Sequence, residues 1–478
     1  MGISNILAAL NGSAIMNEIT AKFSPGQGRP SCPTTQEIVH RDGRPVPAFF
    51  EEECPRYLGD ADIPFDRYTR QDIFDAEMTR MWPKVWQWAC REEHIAEPGD
   101  YYVYEVGPHS ILVVRDADRS IKAYVNSCLH RGTKLRPGGD QGSTQELRCP
   151  YHGWTWSLGG ALTRLPCQWD APHVDRDKFH LPQVKVGLWG GFVFINMDPD
   201  AQPLEQWLDP IPRHFAHFGI ENRYVALHIE KELYCNWKAA IEAFIENYHT
   251  QETHPQLLMG SYDEGSQYDV FNDNVSRFLC PFGVSSSHLD RPLSEQEILD
   301  SMLIGDRKVL GDAMEMGEGE SARIVMARVL RKVLGDAFKT DLSHFTDSDM
   351  IDVSQYSVFP NMVLFPQLSL PMVYRFRPIG GDPNRSLFEL LVLRPVADDG
   401  VRPEPAEPFR LREEDSFTTV PGFDPILGEV YDQDTGNLRA QQEGFHAAHK
   451  KGQTLLNYQE VRVRQQQQTL AKYLGDCL

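Results

Sequence analysis

No run of about 18 apolar residues occurs in the chain, so no transmembrane helix is expected. Residues 1–23 lack a basic stretch ahead of an apolar core, and no secretory signal is read there. Gly2 could open a myristoylation motif, but Ile6 stands where Ser or Thr is wanted. A cytoplasmic protein is the expectation. Basic residues are scarce: 47 Lys and Arg face 68 Asp and Glu, a net charge of -21. Such a surface repels nucleic acid and anionic membrane, so neither is an expected partner. Repeats are absent, and low complexity is confined to the glutamines at 465–468. No flavin or nucleotide fingerprint is present. There are nine cysteines, an odd number in a large chain without a signal. That excludes a disulfide framework and favours a metal site for a subset of them. Seven have no motif around them and read as small buried apolar groups.

What is there is ordinary globular sequence. The 478 residues, 41% hydrophobic and 24% charged, suffice for two or three domains. Residues 24–60 are rich in Pro and Gly and read as an extended arm, and 67–82 as a helix with Ile73, Met78 and Met81 in its apolar stripe. From 84 to 200 the pattern turns β-rich, with strands expected at 101–105, 111–115, 123–126 and 192–195. This reads as one small all-β module. Residues 201–478 mix types. Helices are expected at 237–249, from the capping box Ser294-x-x-Glu297, at 321–334, from about Asn437, and at 461–474. Strands are expected at 357–370, 372–378 and 386–395. The class is α+β with an antiparallel sheet that helices can cover.

Two constellations carry chemistry. The first is Cys128-x-His130, eighteen residues, then Cys149-x-x-His152. Each half supplies one thiolate and one imidazole. Two cysteines for one iron and two histidines for the other is the ligand scheme of a Rieske [2Fe–2S] cluster. Gly132 and Gly153 follow the histidines closely and allow tight turns. A Cys2His2 zinc site is the competing reading. The second constellation lies in 236–255. Glu242, Glu246 and His249 sit at i, i+4 and i+7 and would share a helix face. His254 is about 140° further round a straight helix. Pro255 also opposes helical geometry there, so a break after His249 would return His254 to the same ion. Two histidines and one carboxylate leave open positions suited to Fe(II) and dioxygen.

The stretches CLHRG and CPYHGWTW, with Trp154 and Trp156, together with NWK…Glu-x-x-His-x4-His-Pro, resemble the motifs of Rieske non-heme iron oxygenase α subunits, the aromatic-ring-hydroxylating oxygenases. The likeness covers roughly residues 60–260 and 355–475. It implies an arm over 1–83, an all-β Rieske domain over 84–200, and a helix-grip catalytic domain over 201–478 with an insertion at about 285–346 that shapes the substrate entrance. It implies that Cys128, His130, Cys149 and His152 hold the cluster and that His249 and His254 bind Fe(II). The stretch 431–444, ending in Gln442-x-Gly444, is similar to the family's late helix and makes Asp434 the carboxylate ligand. Asp432 is the runner-up, Asp424 follows, and a helix N-cap is the plainer reading of Asp434. Glu246 falls on the acidic position that bridges the iron site to a cluster histidine, here His152, of a neighbouring subunit. A homotrimer, with or without β subunits, is therefore implied. Electrons would come from NAD(P)H through a separate reductase, in some members by way of a ferredoxin. The leading expectation is hydroxylation of a hydrophobic, aromatic or polycyclic substrate. Monooxygenation or demethylation of a smaller polar or quaternary-amine substrate is the alternative. An electron carrier with only the cluster, and a zinc-structured binding protein, follow.

Overall fold

The computed structural model describes residues 33–139, 141–302 and 316–477. Residues 24–32 of the arm, Gly2, Cys32 and 303–315 of the insertion lie outside the described residues. Among those described, no helix is long and apolar enough to cross a membrane, and every cysteine is free.

The first half builds a seven-stranded antiparallel sheet. Its order is Gln87–Arg91, Phe192–Asn196, Gln183–Trp189, Ile121–Val125, His109–Arg115, Asp100–Val106 and Gln141–Ser143. A three-stranded sheet, Leu147–Arg148, Thr155–Trp156 and Leu162–Arg164, carries the second ligand loop. β-branched and aromatic residues suit such half-buried pleats. Leu112, Val114, Tyr124, Leu147 and Trp156 form a core of their own here, together with Cys128 and Cys149. Removing this apolar surface from water is what fixes the loops to the sheets.

The second half forms an eight-stranded sheet. Its order is Gln267–Val270, Val275–Cys280, Val353–Val358, Met362–Leu364, Met372–Pro378, Ser386–Pro395, Arg223–Leu233 and Pro408–Leu411. All pairs are antiparallel except the last, where the edge strand runs parallel to Arg223–Leu233. Helix α1 (Trp237–Glu242) is followed in the chain by the short α2 (Thr250–Thr253), and α1, α3 (Pro425–Ala447) and α4 (Val461–Leu474) cover the sheet. Helix α1 packs on the strands Met372–Pro378 and Ser386–Pro395, and α3 on α1 and Arg223–Leu233.

Several expected boundaries move. Residues 237–249 are not one helix, because α1 stops at Glu242 and the chain runs irregularly to α2. The Glu246 carboxylate accepts the amides of Tyr248 and His249 (the latter at 3.2 Å) and so caps a new turn instead of continuing the old one. The last helix but one begins at Pro425, not near Asn437. Asp424 caps it by accepting the amides of Ile426 and Leu427 at 2.8 and 3.1 Å, and Pro425 sits where its missing N–H costs nothing. Asp434 is thus mid-helix and is no N-cap. The run 357–370 is two strands parted by a turn at 359–361. The helices Glu295–Met302 and Ala322–Phe338 of the insertion share a satellite core of Ile298, Leu299, Val325 and Val329.

Candidate metal centres

The two loops of the β module are built alike. In the first, the Gly132 amide donates to the Cys128 carbonyl (2.9 Å) and the Cys128 amide to Thr133 (2.9 Å). In the second, Gly153 donates to Cys149 (3.2 Å) and Cys149 to Trp154 (2.8 Å). Both glycines have positive φ, 76° and 71°, where a Cβ would be strained. Cys128 and Cys149 are buried and their thiols pair with one another, whereas His130 and His152 are exposed, ring centroids 4.7 Å apart. Burial pushes the Cys128 thiol up, with Cys149 adding to it, so a bound cation is what would favour the thiolates. The His130 ring stacks on Trp154 at 5.1 Å and Tyr151 lies against His152 at 3.8 Å. Thiol beside thiol and imidazole beside imidazole is the donor set of a [2Fe–2S] cluster with two cysteines on one iron and two histidines on the other.

The second centre is assembled from distant elements. Asn236 caps α1 by accepting the Lys238 amide at 3.0 Å, and its own amide N–H donates to Gln442 of α3 at 2.9 Å. Trp237 donates to Glu77 at 2.8 Å, and Lys238 forms a fully buried ion pair with the same carboxylate. Removing one partner of such a pair costs about 3–5 kcal/mol. The NWK motif and Gln442 thus set α1 against α3. His249 precedes α2 and His254 ends it, and α3 brings Asp434 to both. Asp434 Oδ1 is 2.7 Å from His254 Nε2 and 3.4 Å from His249 Nε2. All three donor atoms lie within 4.8 Å of one another.

The outer ring nitrogens are engaged. His249 Nδ1 is 2.5 Å from Glu246 Oε1, and His254 Nδ1 is 2.8 Å from Gln433 Oε1. Gln256 donates to that same Gln433 oxygen at 2.7 Å, which fixes the amide's orientation. Nδ1–H donating outward on both rings would turn the Nε2 lone pairs towards a carboxylate oxygen once a metal takes the place of the Nε2 protons. Acceptors so placed need a cation between them, and this is the outer-shell pattern of metal-bound imidazoles. Burial lowers the His249 basicity, but Glu246 and Asp434 outweigh it and push its pKa up to about 10. Burial also opposes the Asp434 charge, yet His249 and His254 hold its carboxyl below the usual range. The residues fit an iron.

Asp432 turns away, accepting from Ser416 Oγ and the Phe417 amide (2.9 Å), with Lys231 at 3.9 Å. Asp424 is a helix cap. Sequence reasoning missed Gln433, Glu77 and Tyr68. Gln433 adjoins Asp434, but nothing local marks it as a partner of His254. A second donor group, His228, Glu230 and Glu389, is compensated. Arg375 and Arg377 reach Glu389 at 2.7 and 2.8 Å, and Arg410 reaches Glu230 at 2.9 Å. It repels a further cation.

Beside the iron-type trio lies a cavity of about 260 Å³ lined by Glu242, Glu246, Asp434 and Glu460 and by no Lys or Arg. None of its described lining residues comes from 285–346. On the helix of Asp434, Tyr431 joins Phe244, Tyr374 and Phe388 in a buried ring cluster, with Phe244 centroids 5.6 Å from Tyr374 and 5.0 Å from Phe388.

Residues 85–175 match the model of the Rieske [2Fe-2S] domain, and residues 220–476 that of the ring hydroxylating alpha subunit (catalytic domain). The chain belongs to the Rieske-type ring-hydroxylating oxygenase α-subunit family. This oxygenase is 30% identical to the glycine betaine monooxygenase oxygenase subunit of Pseudomonas aeruginosa, over 62% of its own length and 70% of that protein's. It is 31% identical to the chlorobenzene dioxygenase subunit alpha of Cupriavidus sp., over 51% and 54% of the two chains. A quaternary ammonium Rieske monooxygenase has the same fold, with TM-score 0.59 and 18% identity over 87% of this chain and 95% of that one. A catalytic domain beside the Rieske domain removes the electron-carrier and zinc-protein readings. The oxygenase carries a [2Fe–2S] cluster in one domain and a mononuclear iron in the other.

Proposed function

We propose that Cys128, His130, Cys149 and His152 hold the cluster, that His249, His254 and Asp434 hold the iron, and that the enzyme hydroxylates a compact substrate with a cationic, quaternary-amine head. When bound, the two centres supply electrons and dioxygen activation. The observation that carries the iron assignment is the convergence of two Nε2 atoms on Asp434 Oδ1. Electrons come from NAD(P)H through a separate reductase, with or without a ferredoxin.

Glu246 bridges His249 to His152 of a second copy, within a homotrimer. Charge supports this. The exposed His130 and His152, with Arg131 over Tyr151, form a tip of positive and imidazole character. The cavity at Glu246 offers four carboxyls and no Lys or Arg. Residues 1–83 are the arm, 84–200 the Rieske domain and 201–478 the catalytic domain. The contact of Arg67 with Gln467 at 3.0 Å supports an arm packed on the last of these. Light scattering that finds an active monomer would end the trimer reading.

The cationic head rests on the charge of the cavity and not on the ring cluster. Tyr431 lies one turn before Asp434, and its hydroxyl bonds that of Tyr374. Burial pushes both phenols up, Tyr374 adds to it at Tyr431, and the charge of Asp434 contributes least. These rings are buried against one another and none lines the cavity, whose four carboxyls and lack of Lys or Arg are what favour a quaternary ammonium. A second reading, a flat aromatic substrate, is favoured by the likeness to the chlorobenzene dioxygenase subunit alpha. Substrate-dependent oxygen uptake decides, with glycine betaine and chlorobenzene as first members of two panels and products identified by mass. Turnover of aromatics alone rejects the cationic reading.

A further inference from the structure

Glu242 is the last residue of α1 and lines the same cavity as Glu246, His249 and Asp434. It is 7% exposed and has no cation bonded to it, because Lys238 is committed to Glu77. Its partners are neutral donors. The Tyr68 hydroxyl lies 2.9 and 2.8 Å from the two carboxyl oxygens. Gln467 Nε2 is 2.5 Å from Oε1 and Gln453 Nε2 is 3.4 Å from Oε2. The same two amides donate to the Tyr68 oxygen, at 3.0 and 2.7 Å. The phenol therefore accepts twice, and its one hydrogen is left for Glu242. Three residues from three separate stretches are spent on one carboxyl. A structural acid in a core would be met more simply by an arginine, as Glu389 is.

These features pull in opposite directions. Burial disfavours the charged form, and three donors favour it. The balance brings Glu242 up to about 7, where a group gives and takes a proton with equal ease. The charged and titratable groups around it are Tyr68 and Arg67 from the Asp66–Thr69 helix, the Glu77–Lys238 pair, Glu246, and Glu460 ahead of α4.

Oxygenation needs such a group. Inserting one oxygen follows R–H + O2 + 2e⁻ + 2H⁺ → R–OH + H2O, and adding both oxygens across a double bond consumes the same two electrons and two protons. The reductase and cluster supply electrons, but the protons must reach a buried site. We propose that Glu242 stores one of these protons and releases it into the cavity beside the His249, His254 and Asp434 trio. The O–H bond of its carboxyl breaks and the pair stays on the carboxylate, which Tyr68, Gln453 and Gln467 hold until solvent reprotonates it through the cavity. The inference rests on the iron assignment above.

The test is an infrared pH titration of the holoprotein carrying ¹³C-labelled glutamate, with the iron-free protein alongside. A protonated glutamate band that titrates near neutral pH should vanish in Glu242→Gln. In Tyr68→Phe it should persist to higher pH, because the carboxylate loses a donor, and this separates it from Glu460. Glu242→Gln should keep both metals, with kcat reduced roughly 100-fold and KM unchanged. No band lost in Glu242→Gln, or wild-type kcat in that variant, overturns the proposal. If that variant does not fold, an unshifted titration in Tyr68→Phe overturns it. Wild-type protein without mononuclear iron would sink the iron assignment itself. An iron-loaded enzyme indifferent to Glu242→Gln sinks the proton role alone.

Discussion

The two metal regions are built on opposite plans. The cluster loops are short, nearly symmetric and local: four donors lie within 25 residues, and each loop closes its own backbone bonds. The imidazoles stand at the surface. The iron region is long-range and buried. His254 meets Asp434 across 180 residues, and its geometry depends on Asn236, Gln442, Glu77 and Lys238, none of which touches the trio. A centre that must hand electrons to another molecule needs an exposed edge. A centre that handles dioxygen needs enclosure. The comparison predicts that damage to the first stays local and that damage around the second spreads.

Metal-ligand changes test this most severely. Cys149→Ser should bleach the cluster colour while leaving iron content and the fold of the catalytic half intact. His254→Ala should leave the colour and remove the mononuclear iron and all turnover. Colour by visible absorption and iron by metal analysis read the two out independently. A Cys149→Ser protein that also loses its mononuclear iron would break the contrast. The Glu246→Gln change then joins the two regions. It keeps the shape but removes the charge that the proposed bridge places between His249 and a neighbour's His152. Both metals and the oligomer should survive while turnover falls by roughly 100-fold, with cluster reoxidation slowed in a single-turnover experiment. Ordinary turnover would return Glu246 to the role of a turn cap.

The same contrast explains what could be read without the structure. The Cys-x-His and Cys-x-x-His loops were legible because their donors, glycines and tryptophans are neighbours in sequence. The iron histidines were legible by motif, and the helix over 461–474 by pattern. The shape around them was not. Glu242, Glu246 and His249 have the spacing of a helix face, but the Glu246 carboxylate competes for backbone amides and ends the pattern. The start of α3 was read too late, although Asp424-Pro425 is a proper start signal. Gly428 in its first turns weakens the helical pattern, and its reason is tertiary, since a Cβ there would meet the Thr418 backbone amide at 3.0 Å. Glu77 and Tyr68 were invisible as site residues because their partners are more than 150 residues away.

A milder probe concerns the outer shell of the iron. Gln433→Leu removes the acceptor that fixes the tautomer of His254 and leaves Gln256 without its partner. Iron affinity should weaken about 10- to 100-fold, the usual cost of losing an outer-shell partner, while kcat of the fully loaded enzyme changes little. Competition with a chelator measures the first and turnover in excess iron the second. Unaltered affinity would show that Asp434 alone orients the ring.

The smallest effect separates three acids that sequence alone could not rank. Asp424, Asp432 and Asp434 lie within 11 residues, yet only one faces the histidines. Asp424 satisfies two orphan amides at the start of α3, so Asp424→Ala should cost about 1 kcal/mol, the worth of one cap. For a domain of this size that is a shift of about 2–4 °C in Tm. Iron content and colour should not change, because the cap lies almost three helical turns from Asp434 and α3 is held further along by Gln442. Asp434→Ala should do the reverse. It removes the iron, and it leaves two imidazoles without the carboxylate they face. Calorimetry and metal analysis on the pair of variants suffice. If Asp424→Ala sheds iron while Asp434→Ala retains it, the ligand has been assigned to the wrong end of the helix. The convergence of His249 and His254 on Asp434 would then be a salt bridge without a metal.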